Sequence, residues 1–214
     1  MVVAYVPGQE VVGAGDPTEN FFLVMDGLFR AAKFTADGRR QVFAFHMAGD
    51  LCGLEPDGTH KVTIEAQDHG SMAILPRSLC RLWMNDHPEM SAALFDGATR
   101  AWSLAIDHTM MIGCGSAEER LAWFLTTLSR SVSGSAGFVA LPMHRQDIAD
   151  YLGLTIETVS RTFTRLKYLG LINLSHVRRV HILRPDALAR LAAADRDAAP
   201  IDLARSRQEL EPVA

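Results

Sequence analysis

An α+β fold is predicted, with an N-terminal antiparallel β-roll, a long helix, and a C-terminal domain of short helices closed by a hairpin. Three observations carry it. Turn signals at Gly8, Gly15-Asp16, Gly27, Asp37-Gly38, Gly49, Asp57-Gly58 and Gly70 cut residues 5–75 into short apolar-rich runs, the pattern of a β-roll or jelly roll. From about Glu89 to Ile112 the apolar pattern is helical throughout. Pro142–Tyr168 then reads as two helices around a tight turn, followed by a short alternating stretch.

Length and composition bound the function. The 214 residues suffice for one large or two small domains, and 48% hydrophobic residues supply a core without a run long enough to span a membrane. Met1-Val2-Val3-Ala4 lacks the basic start and apolar stretch of a signal peptide. Cys52, Cys80 and Cys114 are scattered without a CxxC, which suits a reducing cytoplasm and gives neither a disulfide framework nor a metal site. The histidines form no HExxH, and no GxSxG or phosphate loop occurs, so no enzyme chemistry and no cofactor is expected.

Within the β region, Gln41–Met47 places Phe43, Phe45 and Met47 on one side, and Val62, Ile64 and Ala66 alternate likewise. After Pro76 a short helix, Arg77–Asn85, carries Leu79, Leu82 and Trp83 and closes at Asp86-His87-Pro88. The long helix that follows has two apolar stripes. Met90, Leu94, Gly97, Ala101, Leu104, His108 and Met111 step by fours and threes, a coiled-coil seam expected to meet its twin in a homodimer, with Leu104 as the central knob. Phe95, Ala98, Trp102, Ala105, Thr109 and Ile112 form the second stripe, expected to lie on the β-roll. His108 reads as a packed polar residue of the seam.

Gly113-Cys114-Gly115 reads as a hinge. Ser116 with Glu119 is a capping box that opens a helix over Ala117–Arg130. Ser131–Gly137 reads as a flexible loop, Pro185-Asp186 opens a last helix over Ala187–Ala194, and the Ala-, Asp- and Arg-rich remainder reads as a mobile tail. The expected divisions are 1–88 for the roll, 89–113 for the dimer helix and hinge, 114–194 for the C-terminal domain and 195–214 for the tail.

The helical pair carries the functional signal. Asp147, Ile148, Ala149, Tyr151 and Leu152 share one face, Gly153 permits the turn, Thr155 caps the second helix, and Val159, Phe163 and Leu166 form its buried stripe. Small Ala149 lets the helices approach, and Val159 closes the corner of a helix-turn-helix. The outer face of the second helix offers Glu157, Thr158, Ser160, Arg161, Thr164 and Arg165. Arg161 can hold guanine O6 and N7, Glu157 can accept from cytosine N4, and Ser160 can serve either, all from the end of a recognition helix that enters the major groove. Leu171–Ile182 alternates around the basic turn that contains Arg178 and Arg179, as a wing would. From Pro142 to Arg184 seven Lys/Arg stand against three Asp/Glu, an excess of positive charge in a chain of net charge −4. Double-stranded DNA is the partner this charge pattern fits.

IADYLGLTIETVSRTFTRL resembles the recognition region of the CRP/FNR family of bacterial transcription regulators. The ExxSR arrangement of Glu157, Ser160 and Arg161 is similar to the FNR and FixK branches, whereas Ile156 and Ser160 depart from the RExxxR of the catabolite-activator branch. AEERLAWFLTTLSR and GDLCGL also resemble FNR-type sequences, so the similarity runs from about Tyr5 to Leu191. It implies a cyclic-nucleotide-binding-like β-roll, a winged helix-turn-helix and contact with RNA polymerase. It also implies a homodimer, most often an activator, on a palindrome like TTGAT-N4-ATCAA, with FixK-like control of microaerobic, anaerobic or nitrogen-fixation genes. Glu157, Ser160 and Arg161 would read bases, and His144, Arg145, Thr155, Thr158, Thr164, Arg165, Arg178 and Arg179 would hold the DNA backbone.

Two alternatives keep the same fold. In a ligand-gated relative the roll would bind a cyclic nucleotide; the position of its glutamate resembles Asp50 and that of its Arg-Ser pair falls near His60-Lys61, with no arginine between Arg40 and Arg77 to grip a phosphate. In a cupin-like protein His46, His60 and His69 would have to cluster, and their spacing does not fit. The FNR-type oxygen sensors carry a cysteine cluster ahead of the roll, where this chain offers none, and Cys114 alone cannot hold a cluster. Anaerobic purification is therefore expected to give colourless protein; brown protein with stoichiometric iron would refute this.

Overall fold

The structure is a computed structural model and describes residues 1–56, 58–131, 137–176 and 178–193. The predicted tail, most of the predicted Ser131–Gly137 loop and Val177 in the wing turn lie outside the described residues. Eight strands come first: β1 (Val2–Tyr5), β2 (Glu10–Val12), β3 (Asn20–Asp26), β4 (Phe29–Phe34), β5 (Arg40–His46), β6 (Leu51–Cys52), β7 (Thr63–Ala66) and β8 (Gly70–Pro76). They form two antiparallel four-stranded sheets, β1-β8-β3-β6 and β2-β7-β4-β5. Alternation drives the packing: Ile64 and Ala66 of β7 turn inward and meet Phe22, Val24, Phe29 and Met72 in a closed core. Phe43 departs from the predicted alternation; it is exposed, while Phe45 and Met47 pack toward the C-terminal domain.

Protein side chains occupy the loop that follows β6. His60 is buried against Phe22, with Nδ1 3.2 Å from Glu55 Oε2. Arg77 reaches back to this loop and donates to the Gly53 and Glu55 carbonyls, both at 2.6 Å. Asp50, the expected counterpart of a nucleotide-binding glutamate, instead accepts the Met47 N–H at 2.8 Å and closes its own turn. Cys52 and Cys80 are buried free thiols, and burial pushes both upward in pKa; Cys114 is free and exposed.

Two helices lead away from the roll, α1 (Arg77–Asp86) and α2 (Pro88–Cys114). The helix runs through Gly113 and Cys114 and ends at Gly115, so the expected hinge is largely helical. Its 27 residues make a rod of about 40 Å at 1.5 Å per residue. The stripe predicted for the dimer seam faces the interior of the protomer, and the second stripe is split: Phe95, Trp102 and Thr109 are exposed while Ala98 and Ile112 are half-buried. Gly97 backs onto Leu51 so closely that an added Cβ would lie 3.3 Å from the Leu51 side chain. His108 and Met111 are buried within the protomer, and Met90, Leu94 and Ala101 are half-buried on the same side. Leu104, also on that side, is 43% exposed at the mouth of a cavity beside β5. The side of the helix turned away carries Phe95 at 69%, Trp102 at 70% and Ile106 at 47% exposure. At 100° per residue that outward side lies roughly 160° around the helix from the inward one, whereas the two predicted stripes are only about 100° apart; both repeats step by threes and fours, and the sequence alone cannot rank them.

The C-terminal domain comprises α3 (Ala117–Ser131), β9 (Phe138–Ala140), α4 (Arg145–Leu152), α5 (Ile156–Tyr168), β10 (Ile172–His176), β11 (Arg179–Ile182) and α6 (Pro185–Ala193). The capping box opens α3 as expected, with Ser116 N–H to Glu119 Oε2 at 2.8 Å and Glu119 N–H to Ser116 Oγ at 3.3 Å. The three strands pair in the order β10-β11-β9, and β9 is an addition to the predicted hairpin. Leu121, Leu125, Ile148, Leu152, Phe163, Leu166 and Leu188 fill the core, with Met111 of α2 among them.

At the junction of α2, α3 and α4, His108 stacks on Tyr151 at 3.9 Å and on Trp123 at 5.8 Å between ring centres. Its Nε2–H donates to the Tyr151 carbonyl at 2.7 Å, and burial pushes its pKa below the ordinary 6.5. His46 is pushed down by burial as well. In the unfolded chain both would bind protons first, so acid favours unfolding. Stability to chemical denaturation is expected to hold above about pH 6.5 and to fall as pH drops below it, and His108→Gln should flatten that slope. A slope unchanged in the variant would show that His108 does not contribute.

Candidate nucleic-acid interface

Local chemistry builds the helical pair. The His144 N–H at the start of α4 donates to Asp147 Oδ2 at 2.8 Å, so the acid in the first turn caps its own helix. Helix α4 ends at Gly153, which is left-handed at φ +62°, and Leu154 N–H returns to the Ala149 carbonyl at 3.0 Å. A side chain at Gly153 would strain that turn. Thr155 caps α5, its Oγ1 accepting the Thr158 N–H at 3.2 Å. Val159, Thr162, Phe163 and Leu166 bury the inner face of α5, each large apolar side chain contributing about 1.5–3 kcal/mol by leaving water.

The outer face of α5 is free. Glu157, Ser160, Arg161, Thr164 and Arg165 are exposed and Thr158 is half-buried. Among the described residues no ion pair joins Glu157 to Arg161, although they stand one turn apart. The hydroxyls of Ser160 and Thr164 donate to the Ile156 and Ser160 carbonyls, at 2.9 and 3.1 Å, and can be turned outward at small cost. His144 and Thr155 are exposed at the starts of their helices. Arg165 lies beside Tyr168, 5.8 Å from its ring centre. On the wing, Arg178 and Arg179 are exposed at the β10–β11 turn; Arg179 sits 4.4 Å over Phe138, which also stacks on His181 at 4.3 Å.

Arg145, expected to hold a DNA phosphate, is half-buried. Its guanidinium lies 3.5 Å over the Phe163 ring, and burial lowers its pKa to about 10. A planar cation on an aromatic face ties α4 to α5.

A cluster not foreseen from the sequence joins this domain to the roll. Asp147 is 1% exposed, and its Oδ1 accepts from Arg30 of β4 and, at 2.6 Å, from Arg40 of β5. Arg40 also holds Asp150, Nε to Oδ2 at 2.8 Å, and Gln41 Nε2 donates to the Asp150 carbonyl at 2.6 Å. The other terminal nitrogen of Arg30 meets Glu65 of β7 at 3.1 Å. One signal was present: an acid on an otherwise apolar helix face needs a buried cation to meet it.

Family models match in two places, a cyclic nucleotide-binding domain over residues 2–87 and a Crp-like helix-turn-helix domain over residues 119–191. The chain is 40% identical over 191 residues to the nitrogen fixation regulation protein FixK of Rhizobium meliloti, covering 89% of this chain and 87% of that protein. It is 36% identical over 195 residues to FixK of Bradyrhizobium diazoefficiens, covering 90% and 82%. The solved structure of FixK2 from Bradyrhizobium japonicum superposes with a TM-score of 0.83 at 34% identity, covering 89% of this chain and 96% of that one. With a free recognition face on a helix-turn-helix, a basic wing and these relatives, the chain belongs to the CRP/FNR family and is a DNA-binding transcription regulator of the FixK/FNR type.

Proposed function

We propose that this regulator binds, as a homodimer, a two-fold operator of the form TTGAT-N4-ATCAA and activates FixK-type microaerobic or nitrogen-fixation genes through RNA polymerase. The free face of α5 carries the reading: Glu157, Ser160 and Arg161 stand exposed on its first two turns, while the opposite side is locked in the core. Arg161 takes the guanine, Glu157 the cytosine or adenine edge of the opposite strand, and Ser160 the outer thymine. His144, Thr155, Thr158, Thr164, Arg165, Arg178 and Arg179 lie where phosphates would run, and Arg145 supports them from beneath.

Each bidentate base contact contributes about 1–3 kcal/mol, and a symmetric dimer makes it twice. Arg161→Ala is expected to cost about 2–6 kcal/mol on the full palindrome and to relax preference at the guanine. Removing Arg178 or Arg179 should weaken binding to every sequence and lower the salt slope. Titration against palindromes altered one base pair at a time checks this; an equal loss for all sequences in Arg161→Ala would make it a phosphate contact.

The dimer seam runs along the outward face of α2. Ala92, Phe95, Thr99, Trp102, Ile106, Thr109 and Gly113 step by threes and fours, and all are exposed in the protomer. A second α2 is the partner that stripe fits. Trp102→Glu is expected to give monomers by sizing chromatography and to abolish operator binding, whereas Leu104→Glu should remain dimeric. The reverse pattern would put the seam back on the inward face.

A ligand-gated reading is favoured by one observation, a cavity of about 270 Å³ between β5, the Gly49–Leu51 turn and α2. Operator affinity that rises on adding a cyclic nucleotide or another small molecule would support it.

A further inference from the structure

We infer that Asp147, held by Arg30 and Arg40, is a positioning residue for DNA recognition, the joint through which the β-roll orients the recognition helix. The inference rests on the DNA-binding reading and adds the residues that aim it. Asp147 and Asp150 stand three apart, so both project from one side of α4 toward the sheet. From that sheet the adjacent strands β7, β4 and β5 supply Glu65, Arg30, Arg40 and Gln41, so the grip spans one turn of α4. Arginine forks are directional, and Arg40 bonds two carboxylates at once, at 2.6 Å to Asp147 and 2.8 Å to Asp150. Such a joint fixes orientation in a way that apolar contact does not.

The rest of α4 passes that orientation on. Phe45 of β5 meets Tyr151 at 5.1 Å, and Tyr151 stacks on His108, so the far end of α4 is seated by aromatic contact. Ile148, Ala149 and Leu152 are fully buried in the same core as Val159 and Phe163 of α5, and Arg145 lies on Phe163. Turning α5 relative to the roll would require breaking the ionic joint or the helix packing. The joint is the weaker of the two, because a buried ion pair offsets its own desolvation only in good geometry. In the joined arrangement Glu157, Ser160 and Arg161 stand exposed, so the joint holds the reading face in an open pose.

The test compares wild type, Arg40→Gln, Asp150→Asn and the double variant on a TTGAT-N4-ATCAA duplex and on a random-sequence duplex of equal length. Arg40 is partly exposed, so its replacement is expected to leave the melting temperature within a few degrees. Arg40→Gln should bind the palindrome about tenfold more weakly while its affinity for random DNA stays at the wild-type value, within the range of ordinary coupling between sites. The double variant should be no weaker than the worse single one, since both break one network. Equal losses on both duplexes, or unchanged or tighter binding to the palindrome, would overturn the inference. A wild-type protein that cannot distinguish the duplexes would overturn the operator reading itself and the inference with it.

Discussion

The inward face of α2 is the constraint on which the rest of the protomer depends. One helix with apolar residues on opposite sides must satisfy both, and the chain uses one side to assemble itself. Gly97 lets Leu51 of the roll come against the helix backbone, and about three turns further on His108 and Met111 pack into the winged domain. Both domains therefore take their positions from the same face of the same rod. Sharing that face leaves Phe95, Trp102 and Ile106 without cover within the protomer, which is an expensive arrangement for a lone molecule in water.

What could be read in the sequence was local. The capping box at Ser116, the left-handed Gly153, the Thr155 cap and the buried stripe of α5 all depend on residues within a few positions of one another. The structure bears each of them out. Which stripe of α2 turns inward was not legible, because two stripes of equal periodicity occur, and the choice lies with Leu51, about fifty residues away from Gly97 in the chain. Strand β9 is three residues long and precedes Pro142, too short for an alternating signal. The Arg30 and Arg40 partners of Asp147 lie more than one hundred residues upstream, and only the misplaced acid hinted at them. Family likeness supplied the operator sequence and RNA polymerase as a partner, which no periodicity contains.

The same ion pairs alter the charge that DNA would meet. Of the three acids between Pro142 and Arg184, Asp147 and Asp150 are turned toward the arginines of the roll, and only Glu157 faces outward. The whole chain carries −4, yet the surface of the winged domain is more positive than its composition suggests. On the proposed reading, Glu157 is the one acid of that stretch left to face the duplex, where it would discriminate among bases rather than simply repel phosphates.

The Asp147 joint also means that the winged domain is not a detachable module, although its fold is shared widely. Cut free, it would present a carboxylate shaped to be buried with no cation on Oδ1, and Tyr151 would lose Phe45. Transplanted onto another roll, it would need arginines at the positions of Arg30 and Arg40, or it would bring an unpaired charge into the new junction. Compatibility between the halves of this chain is therefore written in Arg30, Arg40 and Asp147, which lie at the junction rather than on the recognition face. A chimera built from this chain would depend on that match before its recognition helix was ever tested.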